Sequence, residues 1–75
     1  MKIAIIGGGS AYAPGLLQAF AAEATHFDGA ELALMDVAAP ELDIVHRLCL
    51  RLVEGTGLRL SATTDRTRAL DGADL

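Results

Sequence analysis

Residues 2–14 have the sequence KIAIIGGGSAYAP, and this stretch decides the fold. Its first part, Ile3–Ile6, is a short continuous apolar run with β-branched residues, which is typical of a buried strand in a parallel sheet. Three glycines, Gly7–Gly9, end that run. Pro14 then suits the first turn of a helix, where its missing N–H costs nothing. The stretch therefore predicts a strand, a glycine turn and a helix in direct succession.

The rest of the chain continues the alternation of strands and helices. We predict a helix from Leu16 to Glu23, a turn at Asp28-Gly29, a strand at Glu31–Met35, a helix opened by Pro40 and closed by Gly55-Thr56-Gly57, an alternating edge strand at Leu58–Thr63, and one helical turn at Thr67–Leu70. The order is β-α-β-α-β. It predicts an α/β fold, in which a Rossmann-like parallel sheet is represented by its first half only.

Helices are expected to cover only one of the two faces of this sheet. Two right-handed crossovers in one direction place both longer helices on the same face. In the first strand Ile3 and Ile5 point to one face, while Ala4 and Ile6 point to the other, so both faces carry apolar residues. We expect the second face to lack cover within these residues. Residues 1–75 are then the N-terminal part of a Rossmann-like domain whose remainder lies outside this chain.

Composition excludes several classes of protein. The chain has 75 residues, of which 52% are hydrophobic, with a formal net charge of −4 and a pI of about 4.8. That charge argues against nucleic acid or an anionic membrane as a partner. A single cysteine, Cys49, excludes an internal disulfide framework and a Cys-rich zinc site. No apolar stretch approaches the roughly 20 residues of a membrane span. We therefore expect a reduced, cytoplasmic protein.

The glycine turn indicates dinucleotide binding. Gly7 and Gly9 supply two of the three glycines of the dinucleotide fingerprint. The first allows a sharp turn, the second lets a pyrophosphate approach the backbone, and the following helix offers free N–H groups to the phosphates. The third position, where Gly or Ala is expected, is Tyr12. An ordinary turn is the alternative. The predicted cofactor-binding residues are Gly7, Gly8, Gly9, Ser10, Ala11, Tyr12 and, from the second strand, Asp36.

Asp36 follows the second strand, where an acid accepts hydrogen bonds from the adenosine ribose in this architecture. A carboxylate there repels a 2′-phosphate, and residues 37–39 offer no Arg or Lys to hold one. The pattern therefore favours NAD over NADP. A solvated cap near the helix of Pro40 is the alternative role for Asp36.

Other motifs give weaker signals. A P-loop is excluded because no lysine follows Lys2, and Ser10 comes too early in the chain for a nucleophile elbow. His26 and His46 lie on different predicted elements and share no carboxylate at ligand spacing, so we predict no metal site. Cys49 is expected to be a small buried hydrophobe. We expect Thr64 and Asp65 either to contact the adenine side of a dinucleotide or to cap a turn. We assign no catalytic residue.

The opening residues resemble glycoside hydrolase family 4, the NAD- and metal-dependent glycosidases. Gly-Gly-Gly-Ser followed by Tyr and Pro is similar in particular to the 6-phospho-β-glucosidase branch, which keeps a bulky residue at the position of Tyr12. Members of the family commonly have Thr before the proline and Glu after it, where this sequence has Ala13 and Gly15. The likeness extends through four further segments, which are Leu34-Met35-Asp36, Glu41–Val45, Thr63–Arg66 and Ala69–Asp74.

This resemblance implies an NAD-binding domain in an unusual hydrolase of phosphorylated glycosides. In the family, NAD⁺ takes a hydride from C3 of the sugar, a base removes the C2 proton, and a divalent metal, usually manganese, stabilises the charge that develops. The catalytic base and the metal ligands are expected outside residues 1–75. The resemblance also implies a homo-oligomer acting in the cytoplasm.

Two alternatives stay open at the level of sequence. A lactate- or malate-type dehydrogenase shares this nucleotide-binding architecture, although such enzymes usually complete the fingerprint with the glycine that Tyr12 replaces. A regulatory NAD-binding module without catalysis is the second alternative.

Overall fold

The computed structural model describes residues 1–23, 26 and 29–74. The elements in chain order are β1 (Lys2–Ile6), α1 (Ala13–Ala22), β2 (Glu31–Met35), α2 (Ala39–Val53), β3 (Arg59–Thr63) and α3 (Arg66–Leu70). Every predicted strand and helix is confirmed, with bounds shifted by up to three residues. Of the turn predicted at Asp28-Gly29, Asp28 lies outside the described residues, while Gly29 has a φ of 75°.

The three strands form one parallel sheet in the order β1-β2-β3. Ile3 lies opposite Leu32, and Leu32 lies opposite Leu60. Four of the five residues of β2 are buried, whereas none of β3 is. This confirms the prediction that β3 is a half-exposed strand, and it makes β2 the centre around which the sheet is built.

One face of the sheet packs against α1 and α2 and forms the core. The strands contribute Ile3, Ile5, Leu32 and Leu34, and the helices contribute buried residues that include Ala13, Leu17, Leu42, Val45, Cys49 and Val53. Cys49 is fully buried, and burial raises the pKa of its thiol. The prediction that it acts as a small hydrophobe is therefore confirmed.

Local sequence explains where the helices begin and end. Pro14 lies in the first turn of α1 and Pro40 in the first turn of α2, as predicted. Glu41 in the first turn of α2 and Arg51 in its last turn complement the helix dipole. After α2, Gly55 adopts a φ of 77°, a left-handed conformation that glycine reaches without strain. None of the helices among the described residues is long and apolar enough to span a bilayer.

The expectation that the second face lacks cover is wrong for part of the sheet. The short helix α3 lies across it and contacts all three strands, and Ala33 and Ala69 are both 1% exposed. The ammonium of Lys2 donates to the carbonyls of Arg68 at 2.9 Å and Asp71 at 2.7 Å. This face also carries small and polar residues, which a five-residue helix can cover. Ile6, at the end of β1, remains 43% exposed.

The core contact of α1 can be tested with adjacent leucines. Leu17 is fully buried, whereas Leu16 on the same helix is 37% exposed. We expect Leu17→Ala to lower the free energy of unfolding by about 2–5 kcal/mol, because it removes buried methyl groups and leaves a cavity. Leu16→Ala is the matched control and should cost much less. Urea unfolding followed by circular dichroism measures both, and equal losses would contradict this packing.

Candidate functional site

The glycine turn is fastened to the end of β2 by the backbone. Gly7 has a φ of 81°, which confirms the predicted sharp turn off β1. The N–H groups of Gly7 and Gly8 both donate to the carbonyl of Met35, each at 2.8 Å. A single carbonyl therefore fixes the turn above the carboxyl edge of the sheet.

Gly8 has no room for a side chain. A Cβ on Gly8 would lie 2.8 Å from the Cβ of Leu34 and 3.1 Å from the backbone N of Met35. Neither neighbour can rotate away, since both belong to the central strand. Gly8 was predicted from the sequence only as a cofactor-binding residue, and its packing against the central strand was not predicted. The only signal was the uninterrupted run of glycines.

Gly9 lies against Asp36 and the start of α2. A Cβ on Gly9 would come within 3.1 Å of the Asp36 Oδ2 and within 3.1 Å of the Leu42 backbone N. The Gly9 N–H donates to that same Oδ2 at 3.0 Å. The missing side chain thus lets the acid reach the loop, which is a contact that the sequence interpretation did not include.

Asp36 uses both carboxylate oxygens within the chain. Besides the bond from Gly9, the Ala38 N–H donates to Oδ1 at 3.0 Å. Ala38 is the residue that precedes α2, so this bond places Asp36 beside the start of that helix. Hydrogen bonds from Ala38 and Gly9 hold the pKa of Asp36 below its ordinary value. The group is therefore a carboxylate at neutral pH, and each oxygen keeps a lone pair for a further donor.

The residues between the turn and α1 present polar groups. The backbone N–H groups of Ala11 and Tyr12 have no acceptor among the described residues. The Ser10 Oγ is buried and likewise has no partner there. No side chain caps the start of α1. These donors lie beside the glycine turn, at the positive end of a ten-residue helix.

Tyr12 closes the other side of the turn. Its hydroxyl donates to the carbonyl of Ile6 at 2.9 Å, although the residue is 56% exposed. The hydroxyl also lies 3.2 Å from the position that a Cβ on Gly7 would take. Tyr12, which replaces the small residue of the fingerprint, thus joins the end of β1 to the start of α1 through this hydrogen bond.

A cleft of about 530 Å³ opens at the carboxyl edge of the three strands. Its lining comes from the ends of all three, with residues Ile6, Gly7, Met35, Asp36, Val37, Thr64, Asp65 and Arg66. Asp65 accepts from the Thr67 N–H at 2.9 Å and caps α3. The structure therefore shows the capping role that was one of two alternatives for residues 64–65.

Arg66 is a cation in the cleft that was not predicted from the sequence. Residues 37–39, directly after Asp36, contain no Arg or Lys, but the fold brings Arg66 to the same cleft from the end of β3. The signal was present, because adjacent parallel strands end at the same edge of a sheet.

The histidines lie apart from the cleft. His26 is exposed and lies 2.9 Å from a carboxylate oxygen of Glu23, which confirms its expected surface position. The Nε2 of His46 on α2 is buried and has no partner among the described residues. Within residues 1–23, 26 and 29–74, no three His, Cys, Asp or Glu residues form a group that could hold a metal ion.

The arrangement is chemically suited to holding a ligand. Backbone donors at a helix start fit phosphate oxygens, and an ionised acid at the end of the neighbouring strand fits hydroxyl groups. The described residues that line the cleft offer no paired nucleophile and base.

Comparison with known proteins agrees with the resemblance seen in the sequence. The sequence model of the family described as family 4 glycosyl hydrolase matches residues 2–75. Over 78 aligned positions the chain is 41% identical to a 6-phospho-beta-glucosidase of Escherichia coli (strain K12), covering 99% of this chain and 17% of that protein. It is 40% identical to a probable 6-phospho-beta-glucosidase of Bacillus subtilis (strain 168), covering 99% and 18%. The chain thus spans less than a fifth of either relative. No solved structure matches it significantly.

The packing of Gly8 predicts an asymmetry between two glycines. Gly8→Ala should lower the free energy of unfolding by about 1–3 kcal/mol, because the added methyl group meets the central strand. Gly15→Ala is the matched control, since it adds the same methyl group in α1 with nothing within 4 Å. It should stabilise the protein by about 0.5–1 kcal/mol. Urea unfolding measures both, and a neutral Gly8→Ala would contradict the close contact.

The bonds of Asp36 predict a pH dependence. A carboxyl group whose pKa is lowered on folding stabilises the fold above its unfolded pKa, and this contribution is lost as the pH falls through the folded pKa. Asp36→Asn should therefore destabilise the protein at pH 7, and the difference from wild type should shrink as the pH falls below 3.8, the ordinary value. Urea unfolding across pH 7 to 2.5 measures this. Asp43→Asn, which removes an exposed ion pair with Arg47, is the control. A difference that stays constant down to the lowest pH would contradict the role of Asp36.

Proposed function

The chain belongs to the family 4 glycosyl hydrolases, and from that premise we propose that it forms part of the NAD-binding site of a 6-phospho-β-glucosidase. The observation that carries the proposal is the Asp36 carboxylate, hydrogen-bonded to the Gly9 N–H at the carboxyl edge of a parallel sheet. In Rossmann-like domains the acid at this place accepts bonds from the ribose, and the glycine turn lies under the pyrophosphate.

The phosphate part of the proposal rests on the start of α1. The free N–H groups of Ala11 and Tyr12 are the donors offered to the pyrophosphate oxygens, and the buried Ser10 hydroxyl is available as a further donor. The helix dipole favours negative charge at this position. Gly7 and Gly8 serve indirectly, because their bonds to Met35 hold the turn in place.

The ribose part rests on Asp36. Each oxygen already accepts one backbone N–H, so the carboxylate has one defined orientation before any ligand arrives. The remaining lone pairs can accept from the two ribose hydroxyls. The lowered pKa of Asp36 keeps the group in the accepting, ionised form at neutral pH. The open cleft beside it has room for the adenosine end of the cofactor.

The chemistry of the reaction is proposed for the whole protein. NAD, when bound, supplies the hydride acceptor and donor for the sugar. The substrate class, a phosphorylated β-glucoside, follows the names of the two relatives. The family resemblance supports a divalent metal, usually manganese, held by residues outside 1–75. It also supports a homo-oligomer in the cytoplasm.

The proposal is tested on the full protein with p-nitrophenyl-β-glucoside 6-phosphate in D₂O. We expect hydrolysis only with NAD⁺ and Mn²⁺, and deuterium at C2 of the product, because removal of the C2 proton exchanges it with solvent. Asp36→Ala should weaken NAD⁺ binding by about tenfold or more, the equivalent of losing charge-assisted hydrogen bonds. Asp71→Ala, at the far end of α3, is the control. Hydrolysis without NAD⁺, or a product free of deuterium, would overturn the proposal.

A further inference from the structure

The cleft contains a cation whose role the NAD-binding proposal does not explain. Arg66 lines the cleft together with Asp36 and Val37. Its side chain makes no hydrogen bond or ion pair with any residue that the structure describes. By contrast, Arg47 pairs with Asp43 at 2.8 Å, and Arg59 donates to the Gly29 carbonyl at 3.1 Å. Arg66 is thus an uncommitted guanidinium at the adenosine end of the site.

The two carboxylates of the cleft are already engaged with backbone donors. Asp36 accepts from Gly9 and Ala38, and Asp65 accepts from the start of α3. Neither forms an ion pair with Arg66 within 4 Å. The guanidinium therefore stays available for an anion that enters the cleft, and its planar fork of donors fits a phosphate.

We propose that Arg66 forms a latent subsite for the 2′-phosphate of an adenine nucleotide, and that the carboxylate of Asp36 keeps this subsite closed. The inference rests on the proposed cofactor site. An acid at the end of the second strand selects NAD, whereas a nearby arginine accommodates the 2′-phosphate of NADP. This cleft contains both groups, one from the end of β2 and one from the end of β3. Preference for NAD then depends on the negative charge of Asp36 and not on the lack of a cation.

The test compares dissociation constants of NAD⁺ and NADP⁺ for the full protein by titration calorimetry. Asp36→Asn should raise the NADP⁺-to-NAD⁺ affinity ratio by about tenfold or more, since it removes the repulsion. The double variant Asp36→Asn with Arg66→Gln should lose that gain. Arg51→Gln, an exposed arginine in the last turn of α2, is the matched control and should leave the ratio unchanged.

A second comparison uses smaller nucleotides in the Asp36→Asn background. In that background Arg66→Gln should weaken 2′,5′-ADP by about tenfold relative to 5′-AMP, while NAD⁺ affinity changes by about threefold or less. A gain of NADP⁺ affinity that survives Arg66→Gln would overturn the inference, and so would equal effects of that change on 2′,5′-ADP and 5′-AMP. If the wild-type protein binds NAD⁺, either result overturns the inference about Arg66 and leaves the proposed function standing. If the wild-type protein binds neither NAD⁺ nor NADP⁺, both the proposed function and the inference are overturned.

Discussion

The structure depends on how closely the glycine turn lies against the end of β2. The Met35 carbonyl accepts two N–H groups, and the Asp36 carboxylate accepts a third. These contacts need a loop without side chains at Gly8 and Gly9, because the central strand and the acid fill the space that a Cβ would take. The turn, the acid and the start of α2 therefore form one unit, in which the conformation of each part depends on its contacts with the others.

This unit has a consequence for binding. A ligand that meets a loop and an acid already held in place does not have to order them, so less of its interaction free energy is lost on association. The free backbone donors before α1 lie next to this unit, at Ala11 and Tyr12, which are exposed. The chain thus separates its polar groups into those that fix the site and those that remain available to a ligand.

Sequence predicted the elements well because their signals are local. The apolar run of Ile3–Ile6 and the prolines of α1 and α2 act within a few residues. It did not predict the packing of Gly8, which depends on a contact with Leu34 across the sheet. It also did not predict Arg66 in the cleft, because Arg66 is distant from Asp36 in sequence and reaches the cleft from the neighbouring strand end. The helical turn at Thr67–Leu70 was predicted, but its place across the second face was not, because that place depends on distant contacts such as those of Lys2 with Arg68 and Asp71.

The contacts of Lys2 with Asp74 can form only after nearly the whole of residues 1–75 has been synthesised. Its backbone N–H donates to the Asp74 carboxylate at 2.8 Å, and its carbonyl accepts from the Asp74 N–H at 2.7 Å, across a sequence separation of 72 residues. At a synthesis rate of about 5–20 residues per second, Lys2 is synthesised roughly 4 to 14 s before Asp74. During this interval the start of β1 lacks the backbone contacts that Asp74 gives it.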